Sequence, residues 1–92
     1  MDRIRIHSYR EECRSAAEII QQFADLHGLP VEKVIGPSRT KDVLLCRQQA
    51  IAAVIVQKPN LSYVRIGKLF GNRDHTTILN TARKMGVARV YE

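Results

Sequence analysis

From Ala16 the apolar residues Ala16, Ile19, Ile20, Phe23 and Ala24 recur at i, i+3, i+4, i+7 and i+8, one stripe of an amphipathic helix that Gly28 ends. The segment Leu29 to Ile35 predicts a short second helix, with Pro30 accommodated in its first turn and Gly36-Pro37 closing it. A basic, polar loop follows, Ser38-Arg39-Thr40-Lys41. A longer helix is expected from Lys41 or Asp42 to Gln57, with Asp42 favourable near its positive end. Val43, Cys46, Ala50, Ala53 and Val54 point inward, and Leu44, Ile51 and Ile55 broaden the apolar surface, which makes this the central helix. Lys58-Pro59-Asn60 breaks it, and Ser62 is placed to cap the next helix, whose Ile66, Leu69 and Phe70 face the core. Arg65 stands where a capping box would put Glu or Gln, which exchanges local helix stability for positive charge.

In the last helix Ile78, Leu79, Ala82 and Met85 make the buried stripe, while Arg73, Thr76, Thr77, Asn80 and Lys84 occupy another face, until Gly86 ends it. Arg3 to His7 alternates like a strand, but a lone strand has no partner, so residues 1–15 are expected to be frayed or lightly docked, as is a tail at 87–92. The pattern is an all-α chain: a single helical domain of about five helices over residues 16–86.

Composition narrows the class. Ninety-two residues make one domain with a core of its own, and an apolar fraction of 45% with two cysteines is that of an ordinary folded protein rather than a disulfide scaffold. Cys46 lies inside an apolar helical pattern and is read as a small core hydrophobe. His7, His27, His75 and the cysteines fall at no metal-ligand spacing, so neither metal nor other cofactor is expected. The chain opens without an apolar h-region, and Ala50 to Val56 is too short to span a bilayer, so a cytoplasmic location without membrane contact is expected. The net charge is +6, unevenly placed: residues 1–36 carry −1 and residues 37–92 carry +7. A basic half of this kind suits a polyanion, although basic patches also serve other partners.

The run Gly71-Asn72-Arg73-Asp74-His75-Thr76-Thr77-Ile78-Leu79 gives that charge a direction. It combines a tight turn with a helix start that bears short or planar polar side chains, as needed to reach base edges in a major groove. With Ser62 to Phe70 as supporting helix and Gly71 at positive φ, it reads as the turn and recognition helix of a helix-turn-helix. Taken alone, Asp74 and His75 are a helix cap and a surface histidine, Arg39 and Lys41 solvated loop charges, Arg47 a side chain lying along its helix, and Tyr63 a packing residue. Within this string, beside the basic half, the nucleic-acid reading is preferred.

The stretch Ser38 to Lys84, with Arg47-Gln48, Ile66-Gly67 and above all Phe70-Gly71-Asn72-Arg73-Asp74-His75-Thr76-Thr77-Ile78, closely resembles the DNA-binding C-terminal domain of the bacterial chromosomal replication initiator DnaA. The resemblance extends over about residues 16–85 and implies a Trp-repressor-like helix-turn-helix that binds double-stranded DNA at DnaA-box-like sites. It further implies base reading by Asp74, His75 and Thr76, with Arg39 entering an adjacent minor groove. Phosphate contacts are implied for Lys41, Arg47, Gln48, Ser62, Tyr63, Arg73, Thr77, Asn80 and Lys84. Where the family usually shows Leu-Pro-Glu after Ser, this chain has Tyr63-Val64-Arg65, and one residue is inserted around Lys58 to Asn60.

No Gly-x-x-x-x-Gly-Lys-Ser/Thr loop occurs in the 92 residues, so no nucleotide is expected to bind. The expected function is regulation of transcription or replication initiation by occupying sites in the nucleoid, without ATPase activity. A second possibility is a protein-interaction module or homodimer using the acidic N-terminal half, for which Arg10-Glu11-Glu12-Cys13-Arg14 is the motivating segment. An enzyme is not expected: Asp74 and His75 are sequence neighbours at a helix start, with no nucleophile placed beside them.

Overall fold

In the computed structural model, which describes residues 15–89, the chain enters its first helix through a reciprocal cap. The Ser15 hydroxyl accepts from the Glu18 amide at 3.1 Å, and the Glu18 carboxylate accepts from the Ser15 amide at 2.8 Å. Two orphan donors of the helix start are satisfied at once. The Ser-x-x-Glu signature is present in the sequence, and it turns Ser15 from the end of a frayed segment into a structural residue. The strand-like alternation at residues 3–7 and the acidic segment at 10–14 lie outside the described residues.

Five helices follow in order: α1 (Ala16–Leu26), α2 (Val31–Ile35), α3 (Lys41–Gln57), α4 (Tyr63–Leu69) and α5 (His75–Lys84). α3 is the axis, packed on by each of the other four. That is why its apolar positions spread round the helix instead of forming one stripe: Val43, Cys46, Ala50, Ile51, Val54 and Ile55 are all buried. Leu44 does not join them. It remains exposed beside the cleft between the α2–α3 loop and α5, on the open side of the first turn of α3, whose other side buries Val43. The Leu69 expectation also fails: Leu69 is exposed, because the helix ends there and Phe70, leaving helical geometry at φ −105°, ψ 48°, swings into the core in its place.

α1 and α5 end by the same device. Gly28 and Gly86 take φ of +67° and +73°, and the residue after each donates its amide back into the last turn, Leu29 to the Ala24 carbonyl and Val87 to the Ala82 carbonyl. Leu29 and Val87 then pack against the core. The described part of the C-terminal tail is therefore bound down at Val87 rather than frayed.

The α4–α5 unit depends on close backbone approach. Gly67, buried in α4, presents its carbonyl to both the Phe70 amide at 3.2 Å and the Arg73 amide at 2.8 Å, so the turn folds tightly back over it. Gly71 and Asn72 reverse the chain with consecutive positive φ values of 76° and 61°. Asn tolerates this region because its short polar side chain adds little steric cost. A Cβ on residue 67 would stand 2.1 Å from the Arg73 carbonyl oxygen, a backbone atom that cannot yield without moving the turn. Gly67→Ala is therefore expected to destabilise the domain by about 3 kcal/mol, at the upper end for overpacking, as read from urea unfolding. Gly86→Ala, which meets nothing within 4 Å, should cost only the strain of its positive φ, about 1 kcal/mol.

Candidate nucleic-acid interface

Asp74 occupies the N-cap position of α5, yet its side chain makes no capping bond. Its carboxylate instead accepts from the Thr76 hydroxyl at 2.7 Å and lies 3.1 Å from His75 Nδ1. The Thr76 hydroxyl is the main influence holding the Asp74 pKa below the ordinary carboxylate value, with the His75 amide and ring adding to it. The group therefore stays an ionised acceptor to lower pH than usual. Asp74, His75, Thr76 and Thr77 are all exposed at the positive end of the helix, and Asn80 and Lys84 continue the exposed face along it. Ile78 and Ala82 are buried on the opposite side. One edge of α5 packs while the other is open over its full length.

Arg39 is exposed on the α2–α3 loop, and Lys41 is exposed as the first residue of α3. Gln48 is half-buried and lines, together with Arg39 and Thr77, the cleft between that loop and α5. The structure thus brings Arg39, Gln48 and Thr77 to one opening. Ser62 is exposed and caps α4, its hydroxyl accepting from the Arg65 amide at 3.2 Å.

Three side chains expected at phosphates, Arg47, Arg73 and Tyr63, have hydrogen-bond partners within the protein. Arg47 is buried, and its guanidinium is committed to backbone: Nε donates to the Val34 carbonyl at 2.7 Å, and Nη2 to those of Ser38, Gly36 and Lys33 at 2.8, 2.9 and 3.3 Å. The cause lies in α2, a five-residue helix too short to satisfy its terminal carbonyls, of which Lys33 alone among those Arg47 meets accepts a backbone amide, that of Gly36; Arg47 reaches across from α3 to the rest. Arg73 does not sit on the open face of α5 but in the turn before it. It donates to the Ile35 carbonyl at 3.0 Å, the Gly36 carbonyl at 2.6 Å and the Phe70 carbonyl. Burial chiefly, and then neighbouring arginines, Arg73 and Arg39 for Arg47 and Arg39 for Arg73, lower the pKa of both guanidinium groups. Tyr63 is buried in the core, and its hydroxyl accepts from the Arg89 amide at 3.0 Å. Tyr63 thus lies in the core, while Arg47 and Arg73 line the cleft beside Arg39 with their guanidinium groups engaged by backbone carbonyls.

Lys68, not singled out from sequence, is exposed on α4 and lines a hollow with Asn72, Asp74 and His75. Its only sequence signal is that the supporting helix carries Lys in its last turn. Arg89 escaped notice because the tail gave no periodic pattern.

A profile described as bacterial dnaA protein helix-turn-helix matches residues 16–85. The chain belongs to the bacterial DnaA helix-turn-helix family. The chromosomal replication initiator protein DnaA of Thermus thermophilus is 40% identical over 80 residues, covering 87% of this chain and 18% of that protein. The corresponding proteins of a Picosynechococcus species and of Clavibacter sepedonicus are 38% and 40% identical over 68 residues, covering 74% of this chain and 15% and 14% of theirs. The chain thus spans less than a fifth of the length of these curated relatives. As a DnaA-type helix-turn-helix it is a DNA-binding domain, and α4 and α5 are its two motif helices. No helix among the described residues is long and apolar enough to cross a membrane.

Since Arg47 donates to the carbonyls at the end of α2, Arg47→Lys, which keeps the charge but loses the fork, should lower unfolding free energy by roughly 2–3 kcal/mol. Chemical denaturation checks this. A side chain whose role was only to meet phosphate would leave the midpoint unmoved.

Proposed function

We propose that this chain recognises DnaA-box-like sites in double-stranded DNA and regulates transcription or replication initiation by occupying them. In this reading Asp74 accepts from a cytosine amino group, His75 donates to a purine edge, and the Thr76 methyl packs on a thymine methyl. Arg39 enters the neighbouring minor groove, where A·T-rich sequence concentrates negative potential. Lys41, Gln48, Ser62, Thr77, Asn80 and Lys84 hold phosphates on either side, and Lys68 joins them from α4. The 92 residues contain no phosphate-cradling Gly-x-x-x-x-Gly-Lys-Ser/Thr loop, so reading by these residues draws on no nucleotide.

The observation that supports this most is the open first turn of α5. Asp74 to Thr77 are exposed together, and Asp74 is free of the capping bond that would have turned its carboxylate inward. The relatives are chromosomal replication initiators by name; initiation itself comes to this chain only as part of the proposal.

Binding should weaken steeply with salt, log K falling by roughly 0.9 per phosphate contact for each unit of log salt. Lys84→Ala should reduce that slope by about one contact and lower affinity on every duplex alike. His75→Ala and Thr76→Ala should each cost about 1–3 kcal/mol on a DnaA-box duplex and little on a random one. Fluorescence anisotropy on the two duplexes separates these cases, and equal losses on both for His75 and Thr76 would contradict base reading.

A further inference from the structure

The end of α5 is tied back to the start of α4. After Gly86 turns the chain and Val87 anchors it, Arg89 lies across the junction between α3 and α4. Its guanidinium donates to the carbonyls of Ile55 at 3.3 Å, Lys58 at 3.1 Å and Leu61, and its carbon sits 5.1 Å from the centre of the Tyr63 ring. Its own amide donates to the Tyr63 hydroxyl. A cation placed on the last carbonyls of α3 meets the negative end of that helix and supplies partners that the helix lacks. The Tyr63 ring adds a cation–π contact.

We propose that Arg89 is a positioning residue for DNA reading, closing α4, α5 and the tail into a ring that fixes the angle of α5. The proposal rests on the reading of α5 as the base-sensing helix. At its leading end α5 is held by Arg73, bonded to the Ile35 and Gly36 carbonyls at the end of α2. At its trailing end Ala82 packs in the core, and beyond it the segment Gly86 to Arg89 ties the helix back, with Arg89 supplying that segment's contacts to the α3–α4 junction. Without it α5 would pivot about Arg73, so that Asn80 and Lys84, farther from the pivot, shift more than Thr76. A helix that must place side chains to within about half an ångström of base edges loses discrimination from such a pivot before it loses stability.

The test compares the full chain with Arg89→Ala and Arg89→Lys at a temperature where circular dichroism shows all three folded. Each is titrated with a DnaA-box duplex and with a random duplex of equal length, and amide hydrogen exchange is followed at Leu61, whose amide donates to the Lys58 carbonyl beneath Arg89. Both variants should lose about tenfold on the box and little on random DNA, with faster exchange at Leu61 before any DNA is added. Lysine cannot span three carbonyls with a planar fork, so it should not rescue. Wild-type behaviour of Arg89→Lys, or equal losses on both duplexes, would make Arg89 a phosphate contact and overturn the proposal; so would unchanged box affinity in Arg89→Ala. If Arg89→Ala does not fold, Arg89→Lys alone decides by the same criteria. Absence of box preference in the wild-type chain would instead defeat the base-sensing reading, and unchanged Leu61 exchange in both variants would then still refute the latch.

Discussion

The carbonyl of Gly36 is the point on which the interface turns. It accepts from Arg47, which comes from the middle of the structure, and from Arg73, which comes from the turn before α5. Through that single oxygen the α2–α3 loop bearing Arg39 is held in a fixed relation to the helix bearing Asp74 to Thr77. A loop and a helix far apart in sequence can address adjacent grooves of one duplex only if their separation is set before binding; otherwise each contact would cost the entropy of ordering it. Position 36 tolerates nothing but glycine for the same reason: a Cβ there would lie 2.7 Å from the Glu32 carbonyl oxygen.

Much of the architecture was legible from periodicity. The bounds of α3, the Ser62 cap and the positive φ of Gly71 follow from local rules about apolar spacing, capping hydroxyls and glycine, and the structure has all three. What local rules could not supply was the destination of the arginines. Arg47 and Arg73 are charged residues in a basic half, and spacing alone places both on a surface. They are drawn inward because α2 is too short to satisfy its own carbonyls, a deficit visible only once α2 and α3 are packed together. Tyr63 was likewise ambiguous. It lies in the core cluster, and its hydroxyl is met by the amide of Arg89, twenty-six positions away. Leu44 misled in the opposite sense, since an apolar residue in register with a core face is exposed wherever no neighbouring helix arrives to cover it.

Tyr63 also stands where this chain leaves its family's usual Leu-Pro-Glu pattern. The substitution and the docked tail are two halves of one arrangement: the phenol provides both an acceptor for the Arg89 amide and a face for its guanidinium. A smaller aliphatic residue at 63 would offer neither. Of the departing residues Tyr63 is buried, whereas Val64 and Arg65 are exposed and Val64 lines the hollow beside Asp74 and His75; the string Asp74 to Thr77 itself is intact.

Sorting the basic residues by partner changes what the charge of the C-terminal part does. Arg39, Lys41, Lys68 and Lys84 are exposed, and in the proposed reading they displace counterions from a duplex and set the salt dependence of affinity. Arg47 and Arg73 bond to neutral carbonyls, and a carbonyl dipole orients a guanidinium without cancelling its charge. Both line the cleft that holds Arg39, Gln48 and Thr77, so their field emerges there through poorly screened protein rather than water. One buried and one half-buried arginine can therefore shape the approach of a polyanion while their guanidinium groups bond to the protein's own backbone. That division explains how one small domain uses the same residue type to build its frame and to charge its face.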